Sequence, residues 1–149
     1  ASEKLLSLIE KKDYGRYLRA FFHPVEKFIQ ENCKDKELEF YILGLAKAFG
    51  RLQQATAIIA QKGLSNKEEV GSVASDYLNL FGYVAIAYMW AKTSKVCIGK
   101  LKNDETGFYK SKLKTAKFYY DKILPETGSL FSIIMAGGES IISFSENDF

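Results

Sequence analysis

Residues 38–59 read LEFYILGLAKAFGRLQQATAII, and within them Leu38, Ile42, Leu45, Phe49, Leu52, Thr56 and Ile59 recur at alternating steps of four and three. An α-helix advances about 100° per residue, so this spacing lines those side chains along one face as a heptad seam. A half-buried strand would alternate at every second residue, and this stretch does not. The segment therefore predicts a long amphipathic helix. Asp35 is its expected N-cap, a short carboxylate placed to accept an unpaired first-turn amide, and Gly63 is its expected stop.

The flanking segments repeat the pattern. Ser65-Asn66-Lys67-Glu68 reads as a capping box, in which serine and glutamate satisfy each other's backbone donors. It opens a helix with an expected core face of Val70, Val73, Ala74, Tyr77, Phe81, Val84 and Tyr88, ending near Gly99. A further helix starts between Glu105 and Phe108. It carries Tyr109, Leu113, Ala116, Tyr120, Ile123, Thr127, Leu130 and Ile134 on one side, with a kink at Pro125 and a close at Gly137-Gly138. Upstream, Leu18, Phe21, Phe22, Val25, Phe28 and Ile29 predict a helix over 16–31 that Pro24 should kink near His23. Leu5, Leu6, Leu8 and Ile9 form a shorter apolar stretch ahead of Gly15. Short connections force neighbouring helices antiparallel. The expected architecture is all-α, an up-and-down four-helix bundle occupying 1–149 as a single domain.

Composition narrows the function classes. The 149 residues suffice for one core, and the charged residues are spread through the chain, which argues against disorder. A net charge of +3 is too small and too dispersed to predict a nucleic-acid partner. The most apolar run, Tyr77 to Ala91, is interrupted by Asn79 and falls short of the roughly 20 residues that span a bilayer. Cys33 and Cys97 stand far apart without a CxxC motif or a secretory signal, which fits two reduced thiols. The expectation is a cytoplasmic protein with no membrane contact. The chain begins without an initiator methionine, and the expectation is a processed or excised piece.

Catalysis needs convergent titratable groups, and few are in evidence. His23 is the single histidine; Glu26 follows it by three residues, but a di-metal bundle needs several inward Glu and His ligands. The expected core faces carry none. No GxSxG elbow and no GxGxxG fingerprint occurs, so neither a hydrolase nucleophile nor a dinucleotide fold is encoded. Cys97 lies near Lys95 and Lys100, and an inert helical thiol is the reading preferred for it. Lys110, Lys112, Lys114, Lys117 and Lys122, with Lys92, Lys95, Lys100 and Lys102 before them, surround Phe118 and Tyr119. They admit a phosphate-binding reading; their alternation with core positions favours a solvated helix face. Catalytic, cofactor and metal residues are therefore expected to be none.

One resemblance is specific. Asp76-Tyr77-Leu78, Gly82-Tyr83-Val84-Ala85 and Ala87-Tyr88-Met89-Trp90-Ala91 resemble the third helix of the acyl-CoA dehydrogenase C-terminal domain family. Residues 108–119, FYKSKLKTAKFY, resemble its fourth helix, and Ile123-Leu124-Pro125-Glu126-Thr127 and Ile134-Met135-Ala136-Gly137-Gly138 match how that helix is kinked and closed. The likeness spans roughly residues 30 to 149. It implies a place behind the flavin-binding and catalytic domains of a large bacterial acyl-CoA dehydrogenase, a flavoprotein oxidoreductase of fatty acid metabolism. Such enzymes remove hydrogens from Cα and Cβ of an acyl-CoA, with a glutamate base and FAD as hydride acceptor. The base and the FAD contacts belong to domains outside this chain, and none of the matching motifs is catalytic. The resemblance thus implies an accessory domain without a cofactor of its own, inactive in isolation, partnered by the dehydrogenase domains of the same chain and by a homo-oligomer. A free-standing ligand-binding or adaptor bundle is the alternative; the reading frame upstream of Ala1 separates the two.

A docking surface is the remaining expectation. With Phe81, Val84 and Tyr88 set to the core, Tyr83, Ile86 and Trp90 fall on the opposite side of the same helix, and Phe118 sits among Lys114, Asp121 and Lys122 on the back of the next. A surface helix should be polar there, so either these four residues dock on another chain or domain, or the phenylalanine-rich first helix covers the back of the third.

Overall fold

The computed structural model describes residues 14–63, 67–143 and 145–148. They form helix with no strand: α1 (Tyr14–Asn32), α2 (Glu39–Gly63), α3 (Lys67–Lys100), α4 (Phe108–Phe118), α5 (Glu126–Ala136) and the short α6 (Glu139–Ile142). The predicted all-α bundle is present, with α4 and α5 together filling the fourth position. The apolar stretch at residues 5–9 and the capping box at Ser65 lie outside the described residues.

Cross-helix contacts give the topology. Tyr41 lies beside Ser94, Thr56 bonds Tyr77 and Lys62 bonds Glu69, so α2 and α3 run in opposite directions. Along α2 and the α4–α5 unit, Tyr41 meets Leu113 and Arg51 meets Thr127, so those two run the same way. The bundle is up-and-down. Every residue of the α2 seam is buried: Leu38, Ile42, Leu45, Phe49, Leu52, Thr56 and Ile59.

Two boundaries differ from expectation. Asp35 does not cap α2. Its Oδ1 accepts the amide of Glu37, and its carbonyl accepts that of Leu38, closing a turn ahead of the helix. The Leu38 carbonyl is what starts α2, accepting from both Tyr41 and Ile42, because buried Leu38 anchors that point against the core. The second difference lies before Pro125. Proline offers no amide and clashes with the carbonyl four residues back, so the chain widens into a π-turn over Tyr119–Ile123, with the Leu124 amide bonded to the Tyr119 carbonyl at 2.9 Å. By contrast, α1 continues through Pro24. Gly137 ends α5 at φ 72, a left-handed conformation open to glycine at little cost.

Cys33 and Cys97 are both free thiols, the first exposed and the second buried. Burial pushes the Cys97 thiol above its usual range, which suppresses the nucleophilic thiolate. We expect a thiol-reactive chromogenic reagent to modify Cys33 promptly in the native chain and Cys97 only after denaturant is added. Rapid labelling of both thiols without denaturant would contradict this burial.

Candidate docking surface

The faces of α3 are assigned by its neighbours. Val70, Val73, Tyr77, Leu80, Val84, Ala87 and Ala91 are buried, where α2 and the α4–α5 unit pack against the helix. Phe81 and Tyr88 lie to one side, where α1 covers them: Phe21 meets Phe81 at 4.6 Å between ring centroids and Phe28 meets Tyr88 at 5.6 Å. The phenylalanine row of α1 therefore covers the Phe81–Tyr88 side, and these two rings flank the core of α3 rather than centring it. The centre is set by Leu80, Val84 and small Ala87 and Ala91, each 0 % exposed, which let the helices approach closely.

That rotation moves the outward face. The side opposite the true core carries Leu78, Gly82, Ile86, Met89 and Val96. Its large side chains are 41 %, 46 %, 54 % and 56 % exposed for Leu78, Ile86, Met89 and Val96 respectively. They recur at helical spacing and form an apolar stripe roughly 27 Å long, at about 1.5 Å rise per residue. Of the four residues singled out from sequence, Ile86 lies on this stripe, while Tyr83 and Trp90 are half-buried at its edge, packed against the core. Phe118 is 58 % exposed on the back of α4, and no ring contact joins it to Tyr83 or Trp90.

Hydrogen bonds lock the edge of this surface. Tyr119 donates to the Tyr83 carbonyl and Tyr120 to the Ala87 carbonyl, each at 2.7 Å, so the π-turn is pinned to one face of α3 by two phenols. Sequence reasoning placed Tyr119 among surface lysines; it is buried, because the widened turn brings two consecutive residues inward where an α-helix would bring one. Tyr83 itself donates to Glu126 Oε2 at 2.8 Å.

Burial raises the pKa of Tyr119 and Tyr120, and the Glu126 carboxylate beside Tyr83 raises that phenol too. A folded-state pKa above the unfolded value near 10 means the native state holds these protons more tightly. Their contribution to stability is fully present below pH 10 and is lost as pH rises beyond it. We expect tyrosinate absorbance to develop together with loss of helical circular dichroism above that pH. Full ionisation of all tyrosines with native helicity retained would refute the coupling.

The family model for acetyl-CoA dehydrogenase C-terminal-like domains matches residues 21–145, nearly all of this bundle. The chain belongs to that family. No curated protein matches it.

In this acetyl-CoA dehydrogenase C-terminal-like domain, a groove of about 350 Å³ at Leu101–Glu105 sets Lys102 beside Asp104 and Glu105, a lining of mixed charge. No group of three His, Cys, Asp or Glu side chains among the described residues is placed to hold a metal ion, and His23 is exposed on α1. The lysines of the domain do not gather into one stripe. Lys92 lies over the Tyr88 ring, Lys95 over Phe28, Lys100 over Tyr109 and Lys112 over Phe108, while Lys117 pairs with Asp121. The first four hold their ammonium groups over aromatic rings, cation–π contacts on the surface of the bundle. No described helix is long and apolar enough to cross a membrane.

Proposed function

We propose that this domain is the accessory C-terminal bundle of an FAD-dependent acyl-CoA dehydrogenase, and that the outer stripe of α3 docks on the dehydrogenase domains of the same chain. The observation that carries the docking reading is the stripe Leu78, Ile86, Met89 and Val96, four large apolar side chains in helical register, each more than 40 % exposed. Large apolar side chains left exposed along one face are retained where another surface covers them. Tyr83 and Trp90 at its edge and Phe118 beyond it are aromatic types enriched at the energetic centres of interfaces. FAD and the catalytic glutamate belong, on this reading, to the domains being docked, and the role of the bundle is structural.

Hydrogen exchange on the full-length enzyme tests it against the isolated chain. Helical amides flanking the stripe, residues 78–96, should be better protected in the full-length enzyme. The double substitution Ile86→Glu with Met89→Glu should abolish the extra protection while leaving the isolated chain folded, since both positions face water there. Equal protection in the two contexts would sink the docking role. Protection that vanishes on dilution to monomer would assign the stripe to a dimer mate instead.

A further inference from the structure

We infer that the groove between α2 and the Pro125 break is an oxyanion-binding pocket, in which Arg51 and Lys47 hold a carboxylate or phosphate group over an apolar floor. The pocket, about 170 Å³, is lined by Gly44, Lys47, Ala48, Arg51, Tyr120 and Leu124, with Pro125 at its wall. Arg51 is half-buried, and its Nη1 donates to Thr127 Oγ1 at 2.9 Å. The Thr127 hydroxyl in turn donates to the Leu124 carbonyl at 2.7 Å, which holds the guanidinium in one orientation. A β-carbon on Gly128 would lie 3.3 Å from Nη2, so the group rests directly on the α5 backbone.

A guanidinium has five N–H donors, and one goes to Thr127. Among the described residues no carboxylate takes the others. The nearest acids in sequence to the pocket are committed elsewhere: Asp121 pairs with Lys117, and Glu126 accepts from Tyr83. Lys47, one turn before Arg51 on the same face, likewise has no acidic partner among the described residues. Like charges at this spacing weaken a helix unless an anion lies between them. A partly buried arginine ordinarily comes with a partner, and a fixed fork over an open apolar floor suits a planar or tetrahedral oxyanion. The volume admits such a group with a few carbons.

A protein carboxylate and a free phosphate ester share this chemistry, and titration separates them. The ¹⁵N-labelled chain is titrated with inorganic phosphate and, separately, with acetate. Saturable shifts are expected at the Gly44 and Gly128 amides and at Arg51 Nε. Arg51→Gln should weaken binding by more than about tenfold, and Arg51→Lys should recover part of the loss. Phosphate binding tighter than acetate points to a free ligand; acetate as tight or tighter points to an acidic side chain of an adjoining surface. Absence of saturation with both anions overturns the inference, as does wild-type affinity in Arg51→Gln. Should loss of the Thr127 contact unfold that variant, exposed Lys47→Gln decides alone, and an unchanged affinity there overturns the pocket.

Discussion

Replacing Leu52 by alanine is expected to lower the unfolding free energy by about 2–5 kcal/mol. Leu52 sits midway along the α2 seam at 0 % exposure, with Phe49, Ala55 and Thr56 buried beside it. Truncation removes transfer energy and leaves a void, because the neighbours cannot collapse into it. Tyr77 and Thr56 are held together at 2.7 Å, and Thr56 also donates to the Leu52 carbonyl. A loss of that size is a large share of the 5–15 kcal/mol typical of a domain, so the variant should be visibly less stable in urea. Leu43 serves as control. It lies on the same helix but is 63 % exposed, and Leu43→Ala should shift stability by no more than about 0.5 kcal/mol. Similar midpoints for the two variants would mean that α2 is not seated as described.

Gly44→Val should destabilise the chain by about 2–3 kcal/mol, although a helix usually gains from losing glycine. A β-carbon at Gly44 would stand 2.7 Å from Cδ1 and 2.9 Å from Cε1 of the Tyr120 ring. That ring has no easy retreat: its hydroxyl is tied to the Ala87 carbonyl, and the Tyr41 and Phe40 rings lie at 5.2 and 6.0 Å. The strain would pass into the π-turn and weaken the junction of α4 with α3. Gly50 provides the opposite sign. Nothing lies within 4 Å of a β-carbon there, so Gly50→Ala should stabilise by about 0.4–1 kcal/mol through the unfolded chain. The pair separates packing from propensity by thermal unfolding. Stabilisation by both substitutions would show that Tyr120 does not occupy the space above Gly44.

The α2 seam was readable in full because it depends on one helix: seven positions at three-four spacing can share only one side, and that side is apolar. The Pro125 break was equally local, since the missing amide and the ring clash act within one turn. Its form was not. Within the π-turn two phenols reach the Tyr83 and Ala87 carbonyls of another helix, and no spacing within residues 108–136 announces those contacts. Ile86 and Phe118 were identified as outward from the helical wheel. A wheel centred on Phe81, Val84 and Tyr88 turns Leu78, Met89 and Val96 away from its outward side, although all three are exposed. The Phe81 and Tyr88 rings meet α1, and the true centre is the small Ala87 and Ala91. Arg51 gave no local signal at all, since Thr127, which fixes it, belongs to α5.

By itself, then, the order of residues determined that four apolar-faced helical units form, where most of them begin and end, and which side chains share a face. These are consequences of backbone periodicity and of proline and glycine chemistry, which act within a turn or two. Only the tertiary structure decided which face of α3 is left to water and that Arg51 of α2 is held by Thr127 of α5. Exposure and pairing depend on what lies across each groove, and that belongs to no single helix.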